Sequence, residues 1–356
     1  MSISIHESIK AIPHYPKAQM YGMDEGWVRL SSNENPFPPS PQVISKVLEA
    51  LFFMNRYPGG EYDLKEALAE KYKVKPGQVL IGNGSNELIE MALRAMRNDG
   101  KNKVIIPEPS FAFYSIASKI YGYEVLRAPL VNMQVDLRIM SELVDDRTRV
   151  IFLNNPNNPT GTIFTEEAFK NFLTELPPDA LIVMDEAYAE FVESKTFPHT
   201  LDLINDYPIL TLRTFSKAYG LAGLRVGYGI GEESLISFLE RTKQPFSVNM
   251  VALAAARTAL TDEQYLKKVL NNNRKGKRYL YASLKGMSLQ FIPTEANFIL
   301  IRIGKGAERI SKKLFKENIL VRWMGAYGLP DYIRVSIGRT KENTQFIEAM
   351  RRALEG

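Results

Sequence analysis

An α/β fold built on a mostly parallel sheet is what this sequence of 356 residues predicts, and two observations predict it. Seven short runs rich in β-branched and aliphatic residues alternate with helical patterns through the middle of the chain. In four of them, VLIG, KVIIP, RVIFLNNP and ALIVMDE, three or more apolar residues are consecutive, as suits a strand covered on both faces.

Taken in order, the runs are VLIG (79–82), KVIIP (103–107), EVLRAP (124–129), RVIFLNNP (149–156), ALIVMDE (180–186), ILTLRTF (209–215) and VGYGI (226–230). Strands alternating with helices form a sheet between two helical layers, giving a large domain over residues 40–250. NPFPPSPQ (35–42) is a proline-rich turn that feeds its first helix. After residue 250 the pattern changes to one long helical run (about 250–283), strand-like ANFILIRI (296–303), a further helix and strand-like YIRVSIG (332–338). Residues 251–356 are therefore expected to form a smaller α+β domain, joined by an N-terminal arm, residues 1–39, that also reaches the active site.

Composition narrows the function. Apolar content of 45% with 24% charged residues is that of a soluble globular chain. A net charge of +5, from 45 basic and 40 acidic residues, is too small and dispersed to be a nucleic-acid footprint. The densest basic run, NNNRKGKRY (271–279), reads as the solvated face of a helix. With no cysteine, disulfides, thiolate metal sites and cysteine nucleophiles are excluded, which fits a cytoplasmic protein. The opening residues carry Glu7 and lack an apolar core, so no signal peptide is expected, and MVALAAA (250–256) stops at Arg257, too short to span a membrane. His6, His14 and His199 cluster with no other candidate ligands, so no metal site and no hydrolytic triad is expected.

Polar residues gather where the runs end, and in open α/β sheets ligands bind beyond the carboxyl ends of the strands. GNGSNELIEMALRAM (82–96) is a glycine turn feeding an amphipathic helix. It reads either as a plain turn with its cap or as a phosphate seat made by Gly84, Ser85 and Asn86 at a helix N-terminus. Glu87 stands where a dinucleotide fingerprint needs its third glycine, which disfavours a dehydrogenase. NNPNNPTGTIF (154–164) is a turn that leaves the Asn158 amide at a strand exit. In IVMDEAYAEF (182–191), Asp185 is either a helix cap or a buried carboxylate facing a cation, with Tyr188 three residues on. TLRTFSKAYGLAGLRVGYGI (211–230) adds Lys217, which a desolvated pocket would make nucleophilic enough to form a Schiff base. Thr214, Ser216 and Arg225 supply donors for a phosphate. An aldehyde bearing a ring nitrogen and a phosphate would satisfy all of these groups, and pyridoxal 5'-phosphate has these features.

With these motifs the chain resembles the fold-type I pyridoxal-phosphate enzymes and, within them, the histidinol-phosphate aminotransferase family. The resemblance runs from LSSNENPFPPSP (30–41) and RYPGG (56–60) through GNGSNELI, NNPNNPTG, DEAYAEF and TFSKAYGLAGLRVGY to ANFIL (296–300) and RVSIGRTKEN (334–343). It implies that Lys217 carries the cofactor and Asp185 faces the ring nitrogen. By the same resemblance Tyr188 and Asn158 bond the ring oxygen, and Gly84, Ser85, Asn86, Thr214, Ser216 and Arg225 hold the phosphate. Phe111, where the family often has tyrosine, would stack on the ring. Tyr57 would reach the cofactor of a second subunit, which implies a homodimer with shared sites. Arg334, Arg322 and Tyr15 would bind substrate.

The implied reaction is a two-stage transamination between L-glutamate and imidazole-acetol phosphate, giving L-histidinol phosphate and 2-oxoglutarate in histidine biosynthesis. A phosphothreonine decarboxylase or an aromatic amino-acid aminotransferase of the same fold would use nearly the same residues.

Overall fold

The structure, a computed structural model, describes residues 7–10, 12, 15, 26–98 and 100–355. In chain order its strands are β1 (Val28–Arg29), β2 (Val79–Gly82), β3 (Lys103–Glu108), β4 (Glu124–Pro129), β5 (Thr148–Asn154), β6 (Leu181–Asp185), β7 (Ile209–Thr214) and β8 (Gly227–Ile230), followed by β9 (Gln290–Ile292), β10 (Phe298–Arg302), β11 (Ile319–Leu320), β12 (Arg322–Trp323) and β13 (Tyr332–Ser336). All seven expected runs of the large sheet are strands, in the order β2-β8-β7-β6-β5-β3-β4.

Burial on both faces explains their composition. Along β6, Leu181 and Val183 enter the core on one side of the sheet, and Ile182 and Met184 enter the core on the other. Strands β3 to β7 are parallel to one another, while β8 runs antiparallel to both β2 and β7. The carboxyl ends of β2, β3, β5, β6 and β7 therefore share one edge, and the amino end of β8 meets them there. Two crossover helices start on side-chain caps: Asp136 accepts from Arg138 N at 2.9 Å to open helix Leu137–Glu142, and Thr165 accepts from Ala168 N at 3.2 Å to open helix Glu166–Thr174.

A second core lies between the four-stranded sheet β12-β13-β10-β9 and helices Ala307–Lys316 and Thr340–Glu355. β1 pairs in parallel with β11, so the N-terminal segment joins this unit.

Three expectations change. The helical run from 250 is two helices, Met250–Thr261 and Glu263–Gly286, because Asp262 ends the first and caps the second by accepting from Tyr265 N at 3.0 Å. The first helix buries Ala252, Ala255, Ala256 and Ala259 in the core beneath the large sheet, although the sequence reading assigns it to the smaller domain. Nor is the basic run 271–279 wholly solvated. Lys277 is buried and binds Glu193, which also takes a 2.9 Å hydrogen bond from Arg274 Nε, so the run ties the long helix to the large unit.

No described helix is long and apolar enough to cross a membrane. Among the described residues no acidic, histidine or cysteine cluster could hold a metal; His6 and His14 lie outside them.

Candidate active site

At the shared strand edge lies a cavity of about 580 Å³. Three strand exits shape it. β5 ends at Asn154, whose Oδ1 accepts from Asn158 N at 2.8 Å and whose Nδ2 donates to the Asp185 carbonyl at 3.0 Å. One side chain thus folds the turn that presents Asn158 and fixes it to the end of β6. Asp185 closes the turn after β6, its Oδ1 accepting from Ala187 N at 3.1 Å, while its Oδ2 accepts from Tyr114 Oη at 2.6 Å.

Burial governs the charges. The Asp185 carboxyl is pushed up to about 6 by desolvation, against the pull of the Tyr114 hydrogen bond. On the same cavity Lys217 is brought down to about 8, first by burial and then by the Arg334 guanidinium. Its Nζ donates to the Ser32 carbonyl at 3.2 Å and lies 5.8 Å from the centre of the Tyr188 ring. Tyr188, pushed up to about 12 by burial, stays protonated at neutral pH.

An anion seat adjoins these groups. Helix Gly84–Ala95 begins at the edge, with Ser85 and Asn86 lining the cavity beside Thr214, Ser216 and Arg225. The Arg225 guanidinium lies over Gly84: a Cβ there would sit 2.6 Å from Nη2, and φ is +71°. Gly227 lets β8 pass under the helix start, since a Cβ would fall 2.8 Å from Ser85 N. The seat therefore combines helix amides, three hydroxyls and a guanidinium, the donors that a phosphate takes.

Opposite, β12 and β13 bring Arg322 and Arg334 together as register partners. Arg334 is buried, donating to Asn158 Oδ1 and, at 3.0 Å, to the Ser31 carbonyl, with its guanidinium 5.3 Å from the Phe298 ring centre. Tyr15 and Phe111 line the cavity and meet edge to face at 6.4 Å. Burial pushes Tyr15 up to about 12, so it is a donor near neutrality.

Residues 25–350 match the family model for aminotransferase class I and II. The chain belongs to that family. Among curated relatives, histidinol-phosphate aminotransferase 2 of Pseudomonas fluorescens strain Pf0-1 is 44% identical over 329 residues, covering 92% of this chain and 89% of the relative. The histidinol-phosphate aminotransferase of Moorella thermoacetica is 39% identical over 92% of this chain and 85% of its own. Among solved structures, histidinol-phosphate aminotransferase from Sinorhizobium meliloti in complex with pyridoxal-5'-phosphate aligns with a TM-score of 0.86 at 27% identity, over 92% of this chain and 90% of that one. L-threonine-O-3-phosphate decarboxylase from Porphyromonas gingivalis aligns with a TM-score of 0.81 at 25% identity, over 92% and 99%.

Of the residues marked in the sequence, this aminotransferase gathers all but Gly84 and Tyr57 on the cavity wall. Gly84 lies just behind, under Arg225. Tyr57 stands apart, 80% exposed and stacked on Phe246 at 4.7 Å. The cavity also takes in Ser32, Asn33 and Tyr327, and Tyr114 lies behind Asp185; the sequence reading assigns a role to none of these. Asn33 sits in the quoted SSNENP stretch, which was the available signal. Tyr114 carried none, because its contact with Asp185 spans 71 positions.

Proposed function

We propose that this aminotransferase converts imidazole-acetol phosphate and L-glutamate to L-histidinol phosphate and 2-oxoglutarate on pyridoxal 5'-phosphate, the transamination step of histidine biosynthesis. One observation carries the substrate assignment: Arg322 and Arg334 face each other across an antiparallel pair beside the cavity. Like charges directly opposite repel, and a phosphate dianion between them removes the penalty. The glutamate carboxylate fits the same pair with one charge fewer. The curated relatives carrying the name histidinol-phosphate aminotransferase support the same reading.

The residues fit the cofactor. The buried Asp185 carboxylate, costly to ionise alone, suits a protonated ring nitrogen. Asn158 and Tyr188 suit the ring oxygen, Phe111 a ring face, and Lys217 the aldehyde. Gly84, Ser85, Asn86, Thr214, Ser216 and Arg225 suit the phosphate, in a seat that a Cβ at Gly84 would fill. When bound, pyridoxal phosphate supplies a carbonyl for covalent capture and a conjugated ring that accepts electrons from the substrate α-carbon.

The chain's own groups do the rest. Lys217, at about 8, has a reactive neutral fraction at physiological pH and keeps enough basicity for its Nζ to take the substrate α-proton and return it. Asp185 holds the ring-nitrogen proton. Arg322, Arg334 and Tyr15 fix the anionic end of each substrate, so the α-carbon is presented to Lys217.

We also read the enzyme as a cytoplasmic homodimer with shared sites. Phe52, Phe53, Met54, Tyr57 and Phe246 are exposed, and an apolar group of this kind suits a subunit interface, with Tyr57 reaching the partner's cofactor phosphate. The unit boundary is best drawn inside helix Glu263–Gly286, whose Leu266 packs with the large core and whose Leu280 and Leu284 pack with the small one.

Absorbance tests the reading. A yellow holoprotein that bleaches with L-histidinol phosphate and recovers with 2-oxoglutarate supports both halves of the reaction. A yellow protein indifferent to that pair, but releasing carbon dioxide from phosphothreonine, would replace it with the decarboxylase. A yellow protein bleached only by aromatic amino acids would point to the aromatic aminotransferase. Sedimentation as a monomer would remove the dimer.

A further inference from the structure

Asn33 is 1% exposed and adopts φ +55°. That backbone region favours glycine, so a buried asparagine there is of interest for what its side chain does. Its main chain is fastened to the smaller unit: N donates to Ser336 Oγ at 2.8 Å, and the carbonyl accepts from Asn297 Nδ2 at 3.1 Å. Ser336 Oγ also faces Asn33 Oδ1 at 3.4 Å. With the amide oxygen set toward that hydroxyl, Nδ2 is left to donate to Tyr188 Oη at 3.0 Å.

Asn158 is oriented from its own side. Its Oδ1 accepts from Arg334 Nη1, and its Nδ2 donates to the same Tyr188 Oη at 3.4 Å. A phenol oxygen has two acceptor lone pairs and one hydrogen. Two amide donors occupy the first, so the hydroxyl hydrogen is left to donate, and Tyr188 lines the cavity.

We propose that Asn33 is a positioning residue for the transamination: by donating to the phenol oxygen, it holds Tyr188 as a hydrogen-bond donor toward the cofactor's ring oxygen and ties that donor to the smaller sheet. The proposal rests on the reading of Tyr188 given above.

The test is an absorbance titration against pH of the pyridoxal-phosphate-loaded protein in wild type, Asn33→Gly, Tyr188→Phe and the double variant. Glycine suits the left-handed backbone and removes only the amide. A phenol donating to the ring oxygen withdraws negative charge that would otherwise help hold a proton nearby, so a weaker donor raises the midpoint. Asn33→Gly is expected to raise it by about 0.5 to 1 pH unit, Tyr188→Phe by more, and the double variant no further than Tyr188→Phe alone. An unmoved midpoint in Asn33→Gly beside a moved one in Tyr188→Phe overturns the proposal, as does an equal Asn33→Gly shift with and without the phenol. An unmoved midpoint in Tyr188→Phe sinks the reading of Tyr188 itself and takes the proposal with it. Asn33→Asp, similar in size but unable to donate, should raise the midpoint at least as far as glycine does. A fall would count against the inference.

Discussion

Arg322 and Arg334 are register partners across the β12–β13 pair, two cations held side by side on one wall of the site. Arg322→Ala should leave the fold intact and raise the KM for L-histidinol phosphate roughly 10- to 100-fold, the range of one charge-assisted hydrogen bond. Glutamate, with a single charge at that end, should lose several-fold less. Steady-state kinetics with both substrates check this, and equal losses would dismiss the phosphate clamp.

Tyr114 Oη donates to Asp185 Oδ2 at 2.6 Å while its ring stacks on Phe152 at 4.7 Å. Tyr114→Phe keeps the stack and deletes the donor, so the ionised carboxylate loses support. Cofactor affinity should fall about tenfold, measured by equilibrium dialysis at neutral pH. Unchanged affinity would mean that Asp185 does not bear on the cofactor.

The cofactor-free protein should have a stability trough near neutrality. Asp185, held at about 6 against an ordinary 3.8, gives the folded state more protons than the unfolded one between those values, so its contribution is lost as pH rises through them. Lys217, held at about 8 against 10.5, gives the unfolded state more protons between its two values, so stability returns as pH climbs through that window. Each effect is on the order of 3 kcal/mol. Asp185→Asn should therefore raise the Tm at pH 7 by a few degrees and leave it nearly unchanged at pH 4. Thermal melts of both proteins across pH 4–10 decide it, and parallel curves would refute it.

Gly84→Ala would place a methyl 2.6 Å from Arg225 Nη2 at a φ of +71°. The guanidinium must move off the anion seat, and cofactor affinity should drop at least tenfold. Free phosphate should then protect the apoprotein less against heat. A variant with wild-type affinity would show that Arg225 does not hold the phosphate.

How much of this was legible depended on whether the information was local. Strands buried on both faces read as unbroken apolar runs, so the large sheet, and with it the exits carrying Asp185 and Lys217, was available from the chain alone. The break at Asp262 was hidden because helical residues continue on both sides and a single cap costs the pattern nothing. Arg322 lies on a strand of two residues, too short to display any period, so its register against Arg334 could not be read. Asn33 acts through partners 155 and 303 positions away, and no window of sequence holds both ends.

The reversed strand β8 has a consequence for ligand choice. Thr214, the last residue of β7, is the register partner of Gly227, the first of β8, so the chain between them leaves and re-enters the sheet at one point. Lys217 and Arg225 both ride on that closed ring of backbone, so their main-chain positions are set from the same two strand ends. Their separation works as a gauge, matched to the span between a reactive carbonyl and a phosphate on one small ring. A vitamer lacking the phosphate, or one with a longer arm, would satisfy one end and leave the other empty.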